Sequence, residues 1–337
     1  IIAMVQFSTN KLRISSGMRP TGQLHLGHVV GALKKWVALQ DQYQSFHFIA
    51  DWHALTSDYA DTSKINDYRI EMMIDWLSAG LDPQKSVLFV QSAVPEHAEL
   101  HLILSMITPL GWLERVPTYK EQQQNVADKD LGNYGFLGYP VLQAADILMY
   151  KANAVPVGED QVPHVELTRE IGRRFNTLYK ETFPEPQALL TQVPRLPGLD
   201  GRKMSKSYNN DISLSDSPEK IWKKIKGMMT DPARKRRHDP GNPDVCPVYS
   251  YHKIYSSEET KQVVQRDCRT AKIGCIDCKN WVSTSLVKDL TPLLDSRKKY
   301  VSRKGDIQDI IKDGNNRAAE VAKETMQEVR QAVKFSG

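Results

Sequence analysis

Gly17-Met18-Arg19-Pro20-Thr21-Gly22-Gln23-Leu24-His25-Leu26-Gly27-His28-Val29-Val30-Gly31 decides how this chain is to be read. It follows a short strand expected over Leu12 to Ser16. It opens a helix whose apolar residues Leu26, Val29, Val30, Leu33, Trp36 and Val37 recur with helical spacing. The glycines and both histidines therefore fall at a helix entrance, where unpaired N–H groups and the positive end of the helix dipole favour an anion. Glycine lets a ligand approach the backbone closely, and two imidazoles one turn apart can donate to a phosphate or to its leaving group. Taken alone, the pattern admits two readings: a phosphate cradle, or a tight strand-to-helix turn in which one histidine caps the helix and the other packs.

The chain around it has 337 residues, enough for about two domains with separate cores. Apolar residues make up 40% and charged residues 25%, which excludes a disordered or membrane-embedded class. No run approaches the ~18 apolar residues of a membrane span. Ile1 to Val5 is too short, and lacks the basic lead, for a signal peptide. A cytoplasmic location with no membrane partner is the expectation. The balance of 45 basic to 40 acidic residues, a net charge of +5, permits an anionic partner without requiring one. Its densest basic run is Arg234-Lys235-Arg236-Arg237-His238, bounded by Asp-Pro breakers and expected in an exposed loop or helix end. Such a run is either a solvated surface or a contact for an RNA backbone.

The first half alternates strand and helix signals. Strands are expected at Leu12 to Ser16, Phe46 to Ala50, Val87 to Gln91 and Val155 to Val157. Helices are expected from Lys64 to Ala79, Glu96 to about Ile107 and Tyr139 to Tyr150. Repeated βα units imply an α/β fold with a parallel, doubly wound sheet and sites at the carboxyl ends of its strands. His25, Asp51, His53, Ser92, Glu159 and Gln161 all fall at or just after such ends. Beyond a boundary near 210 to 216 the character becomes helical, with segments expected over Glu219 to Met229, Glu258 to Arg266, Cys278 to Leu294 and Gly314 to Val333.

At the end of the α/β half, Lys203-Met204-Ser205-Lys206-Ser207 supplies two mobile cations and two hydroxyls in one loop. That combination suits a triphosphate whose charge shifts as pyrophosphate leaves; the plainer reading is a solvated basic loop. Together with Leu24-His25-Leu26-Gly27-His28, this loop resembles the pair of signature motifs of class I aminoacyl-tRNA synthetases. The stretches Asp51 to Ala54, Tyr139 to Leu148, Val155 to Gln161 and His164 to Arg169 are similar to those of bacterial tryptophanyl-tRNA synthetases. The likeness runs from about Leu12 to the last helix.

This resemblance implies a Rossmann-type catalytic domain over 1–212 and an all-helical anticodon-binding domain over 213–337. It implies activation of L-tryptophan by ATP and Mg²⁺, transfer to tRNA(Trp), and a homodimer. His25, His28, Lys203 and Lys206 would serve catalysis. Arg19, Pro20, Thr21, Gly27, His28, Gly158, Glu159, Asp160, Val193, Lys203, Met204, Ser205, Lys206 and Ser207 would bind ATP. Asp146 would accept the indole N–H, with Tyr139, Gln143, Gln161, His53, Val155 and Val157 around the amino acid. A phenol would donate to the same carboxylate, so the choice of tryptophan over tyrosine rests on the resemblance. Ser15 and Gln143 depart from relatives that carry an aromatic residue and a methionine there. A tyrosine-specific synthetase, a nucleotidyltransferase and an inactive RNA-binding relative are the competing readings.

Cys246, Cys268, Cys275 and Cys278 form the pattern C-x21-C-x6-C-x2-C in the helical half. In a cytoplasmic enzyme, clustered thiols point to a metal rather than to disulfides. Four cysteines suit Zn²⁺ or a [4Fe–4S] cluster, and the alternative is four unligated thiols. The spacing is similar to that in the subset of bacterial tryptophanyl-tRNA synthetases that carry the cluster.

Overall fold

The computed structural model describes residues 11–116, 132–190 and 196–335, so Val193 lies outside the described residues. Strands β1 (Arg13–Met18), β2 (Gln44–Ile49), β3 (Ser86–Val90), β4 (Ala154–Val157) and β5 (Gln187–Leu190) form one sheet in the order β3-β2-β1-β4-β5, with every pairing parallel. β2 and β3 are buried along their whole length, as strands covered by helices on both faces must be. The chain builds outward from β1 to β3, then returns to place β4 on the other side of β1. That reversal makes the carboxyl ends of β1 and β4 a topological switch point, where such sheets bind ligands. The α/β class expected from the alternating pattern is the one observed.

Contacts divide the chain into two compact units, one of Ile1–Gly22, Lys35–Thr191 and Arg303–Gly337, the other of Gln23–Lys34 and Gln192–Ser302. In the first, Phe46, Phe48, Val87 and Phe89 of the sheet pack with Leu100, Leu104, Val141, Ala144, Ala145, Leu148, Leu167, Ile171 and Phe175 from the covering helices. The long helix Lys304–Ala332 closes this core through Ala318, Ala322, Met326 and Val329. It is clasped to β3, where Asn315 Oδ1 accepts from the Val90 N–H at 2.9 Å. In the second unit the helices Pro218–Gly227, Pro247–Tyr255, Glu258–Arg269 and Cys275–Val301 bury Ile221, Ile225, Tyr251, Val264, Val282 and Leu286.

Several elements depart from the sequence expectation, among them the last helix, which begins at Lys304 rather than Gly314, and an unexpected helix Asp51–Asp58. The helix expected from Tyr139 begins at Tyr134, because the Asn133 side chain caps the Phe136 N–H at 2.8 Å and Pro140 sits inside the helix rather than at its first turn. Burial of Phe136, Gly138, Pro140 and Val141 offsets the hydrogen bond that proline forfeits. β5 and the helix Pro247–Tyr255 carried no clear periodic signal; β5 is a four-residue strand with neither residue class confined to one face.

Gly314 is where the last helix meets the sheet. A Cβ there would lie 1.8 Å from the Leu88 carbonyl oxygen, so no side chain fits without moving backbone. Gly314→Ala is expected to lower stability by roughly 3 kcal/mol. Gly305→Ala in the same helix, whose Cβ would meet nothing within 4 Å, should raise it by about 1 kcal/mol. Urea midpoints of the two variants moving in the same direction would contradict this packing.

Candidate active site

His25 is the N-cap of the helix Leu26–His28. Its Nδ1 accepts from the Gly27 N–H at 3.1 Å, and His28 Nδ1 accepts from the His25 N–H at 3.2 Å, a reciprocal capping box built of two imidazoles. A nitrogen that accepts carries no proton, so each neutral ring holds its proton on Nε2. Burial pushes His25 down to about 4, with Lys206 and Lys203 acting the same way against Asp211. Burial, then His25 and Lys206, push His28 down to about 3. Both rings are thus uncharged at neutral pH, with centroids 3.9 Å apart, and each keeps an Nε2–H as its donor. The two readings of this stretch converge: both histidines cap, and capping decides which nitrogen can donate.

Gly27 is required by the same geometry. A Cβ there would lie 2.9 Å from His25 Cε1 and 3.6 Å from Met204 Sδ. Met204 is 5% exposed, so its side chain is turned into the protein. The second signature loop is tied back to the first by the Leu26 N–H donating to the Ile212 carbonyl at 2.9 Å and the Leu214 N–H donating to the Leu24 carbonyl at 3.0 Å. Asn210, whose role the sequence did not disclose, pins the loop from inside. It is buried, its Oδ1 accepts from the Ser205 N–H at 2.8 Å, and its Nδ2 donates to Asp200 Oδ1 at 2.7 Å and to the Lys203 carbonyl at 3.1 Å. Lys206 and Ser207 enter a short 3-10 turn, Lys206–Tyr208. The expected phosphate-handling residues of this unit therefore share one neighbourhood, in which both lysines act on both histidines.

In the other unit, Arg19, Pro20 and Thr21 leave the end of β1, while Gly158, Glu159 and Asp160 leave the end of the adjacent β4. Arg19 Nη1 donates to Ser57 Oγ at 3.3 Å. Gln161 Nε2 lies 3.5 Å from Asp160 Oδ2. Tyr139, Gln143 and Asp146 fall on one face of the helix Tyr134–Leu148. Tyr139 OH is 2.8 Å from His164 Nε2. Val155 is enclosed with Ile147, Ala152 and Val165, and half-buried Val157 packs against that group. Asp51 and Ser92, also at strand ends, are bonded to each other and to Arg69, a structural clasp.

Asp146 is fully buried, and donors from three elements converge on it. His53 Nε2 is 2.7 Å from Oδ2, His97 Nδ1 is 2.6 Å from Oδ1, and Gln91 Nε2 donates to Oδ1 at 2.7 Å. Burial would raise its pKa, but hydrogen bonds from His53 and His97 outweigh that and leave it below the ordinary value, so it is ionised. Ser15, flagged as a departure, donates to the Asp146 carbonyl at 3.2 Å and ties β1 to this helix. Of this network, sequence reasoning found His53 and Asp146 but neither Gln91 nor His97. The only signal for them was that both follow β3 directly.

All four cysteines are reduced and half-buried. Burial raises the pKa of Cys246 and Cys268, and burial together with the other three thiols pushes Cys278 up to about 12. No group of three or more His, Cys, Asp or Glu side chains among the described residues is arranged to hold a metal ion, so the expected metal site is not assembled. Arg234, expected at the surface with its basic neighbours, is buried instead: Nη2 donates to the carbonyls of Arg237 and Ile273 at 2.8 and 2.7 Å, and Nη1 lies 3.8 Å from Cys268 Sγ. Lys235, Arg236, Arg237 and His238 are exposed. No helix among the described residues is long and apolar enough to cross a membrane.

Residues 8–291 match the family model described as tRNA synthetases class I (W and Y). The chain is 55% identical to the tryptophan–tRNA ligase of Thermotoga maritima, covering 96% of this chain and 99% of that one. It is 46% identical to the tryptophan–tRNA ligase of Ralstonia nicotianae, covering 95% and 98%. Its fold is similar to the crystal structure of tryptophanyl-tRNA synthetase from Campylobacter jejuni complexed with ADP and tryptophan, with a TM-score of 0.85 and 33% identity over 96% of this chain and 100% of that one. A parallel switch-point sheet, a histidine-capped helix and a lysine loop thus occur in a chain that belongs to the bacterial tryptophanyl-tRNA synthetases of class I.

Proposed function

We propose that this chain is a tryptophan–tRNA ligase. It activates L-tryptophan with ATP to give tryptophanyl-adenylate and pyrophosphate, then transfers the acyl group to tRNA(Trp) with release of AMP. The observation that carries the reading is the pairing of two neutral, capped histidines with Lys203 and Lys206 in one electrostatic neighbourhood. The tryptophan carboxylate attacks the α-phosphorus of ATP, and the bond to the bridging oxygen of pyrophosphate breaks. No protein nucleophile is needed; the enzyme contributes position and charge stabilisation. Mg²⁺, which arrives with ATP, neutralises part of the phosphate charge.

Nε2–H donors from His25 and His28 bond to phosphate oxygens, and Lys203 and Lys206, with the hydroxyls of Ser205 and Ser207, hold the departing pyrophosphate. Arg19 to Thr21, Gly27 and Gly158 to Asp160 accommodate the nucleotide. Asp146 accepts the indole N–H, with Tyr139, Gln143, His53, Gln161, Val155 and Val157 assigned to the amino acid. Catalysis belongs to residues 1–212 and anticodon recognition to 213–337, where exposed Lys235, Arg236 and Arg237 meet the RNA backbone. The active form is a cytoplasmic homodimer.

The four cysteines are read as ligands of a [4Fe–4S] cluster, with Zn²⁺ as the alternative. Support comes from two buried cations. Arg234 at 9% and Lys279 at 6% exposure are the buried Arg and Lys side chains among the described residues, and neither pairs with a carboxylate there. Both are within electrostatic reach of the thiols. An uncompensated buried charge is costly, and four thiolates around a metal centre supply the missing negative charge. Such a centre would brace the helices that carry the cysteines.

Amino-acid-dependent ATP–pyrophosphate exchange tests the main reading: tryptophan should support it and tyrosine should not. Lys206→Ala should slow exchange by roughly 10²-fold or more while leaving tryptophan affinity nearly unchanged; exchange with tyrosine alone would sink the assignment.

His25 and His28 also set a pH dependence. Their folded pKa values of about 4 and 3 lie below the unfolded value of about 6.5. Their contribution to stability is therefore complete above about pH 6.5 and is lost as pH falls toward about 4. The urea midpoint should fall on acidification over that window, and fall less in His28→Gln; identical slopes would contradict the neutral-ring assignment.

Anaerobic purification followed by absorption spectroscopy and elemental analysis tests the cysteines. Iron with sulfide and a broad visible band is expected. Zinc without colour selects the alternative, and neither metal overturns the site.

A further inference from the structure

We propose that Tyr150 acts through His97 as a lock that reinforces the Nδ1–H tautomer facing Asp146, so that this carboxylate presents an acceptor to the pocket. The inference rests on reading Asp146 as the acceptor for indole.

Tyr150, His97 and Asp146 are each 0% exposed and lie in line. Tyr150 OH is 2.7 Å from His97 Nε2, and His97 Nδ1 is 2.6 Å from Asp146 Oδ1. An ionised carboxylate only accepts, so Nδ1 carries the His97 proton. On this proposal the ring is neutral, so Nε2 accepts and Tyr150 is its donor. The phenol ring is itself held, stacked on Phe46 at 4.5 Å and edge-on to Phe89 at 5.3 Å. Burial and the nearby Asp146 raise the Tyr150 pKa well above its ordinary value, so the hydroxyl keeps its proton. Without that hydroxyl, Nε2 would lose its donor and the Nδ1–H tautomer would be held by the Asp146 contact alone, which weakens the hold on the carboxylate.

The lock has a consequence for substrate choice. An ionised carboxylate has about four acceptor positions. His97 and Gln91 occupy Oδ1, and His53 occupies one position on Oδ2, which leaves one position on Oδ2 among the described residues. Oδ2 is on the side of His53, which at 9% exposure is the least enclosed of the three donors; Gln91 and His97 are at 0%. Each of the three side chains gives Asp146 one donor. An indole N–H fits the remaining position completely.

The test uses the full chain with Tyr150→Phe, which removes only the oxygen. Exchange is measured with tryptophan and with β-(3-benzothienyl)alanine, in which sulfur replaces the N–H. The variant should raise KM for tryptophan roughly tenfold with kcat nearly unchanged. KM for the sulfur analogue should stay constant, so that the preference for tryptophan narrows. An unchanged preference, or equal loss for both substrates, would overturn the lock. Nitrogen-15 spectra of histidine in the wild-type protein test the lock even if the variant does not fold. His97 should show a protonated Nδ1 and an accepting Nε2; the reverse tautomer or an imidazolium would overturn the proposal. Absence of tryptophan-dependent exchange in the wild type would instead overturn the functional reading, and the same spectra would still confirm or refute the lock.

Discussion

A carboxylate buried at the carboxyl edge of a parallel sheet must be surrounded by donors, and Asp146 draws the first unit together to meet that requirement. His53 follows β2, Gln91 follows β3, His97 begins the next helix turn, and Ser15 of β1 reaches the Asp146 backbone. Through its carboxylate and its backbone carbonyl together, Asp146 thus connects three strands to the helix Tyr134–Leu148. The cost of moving a charge out of water is offset only because several donors point at it at once. The same convergence leaves little freedom in the floor of the pocket. Removing one donor would weaken the others, since each helps hold the group on which all of them depend.

The second unit handles charge differently. Its histidines are neutral by burial and by mutual capping, while its lysines belong to the loop that includes the turn Lys206–Tyr208. On the proposed reading this separates two tasks. Fixed N–H donors set geometry with little ground-state attraction, and flexible cations meet charge as it develops on pyrophosphate. Interactions that strengthen toward the transition state accelerate the reaction, whereas a permanent imidazolium would bind ATP equally before and after. Asn210 makes this workable by anchoring the backbone of Lys203 and Ser205, so that the flexibility is confined to the side chains.

How legible this was in the sequence depended on range. The helix entrance and the lysine loop were readable because they are local patterns, complete within a few residues. Strands β1 to β4 were readable from apolar runs and breakers. Gln91, His97 and Tyr150 were not, because their meaning comes from Asp146, which lies far along the chain from Gln91 and His97 and contacts them only after the sheet is formed. The start of the helix Tyr134–Leu148 was missed because Asn133 caps it ahead of the expected Tyr139, and burial overcomes the bond that Pro140 forfeits inside it. Arg234 was hidden among exposed cations, since nothing in a basic run says which side chain turns inward.

Arg234 and Lys279 pose the Asp146 problem with the opposite sign. Asp146 is met by side-chain donors and stays charged. The two cations have carbonyl partners: Arg237 and Ile273 for one, Lys226 for the other. Carbonyls satisfy hydrogen bonds but supply no net charge. The nearby thiols cannot help while protonated, and burial favours that state. A metal reverses this balance, because ligation removes the thiol protons and converts the cysteines into the anions that the cations lack. On the proposed reading, metal binding and charge neutralisation are a single event at Cys246, Cys268, Cys275 and Cys278.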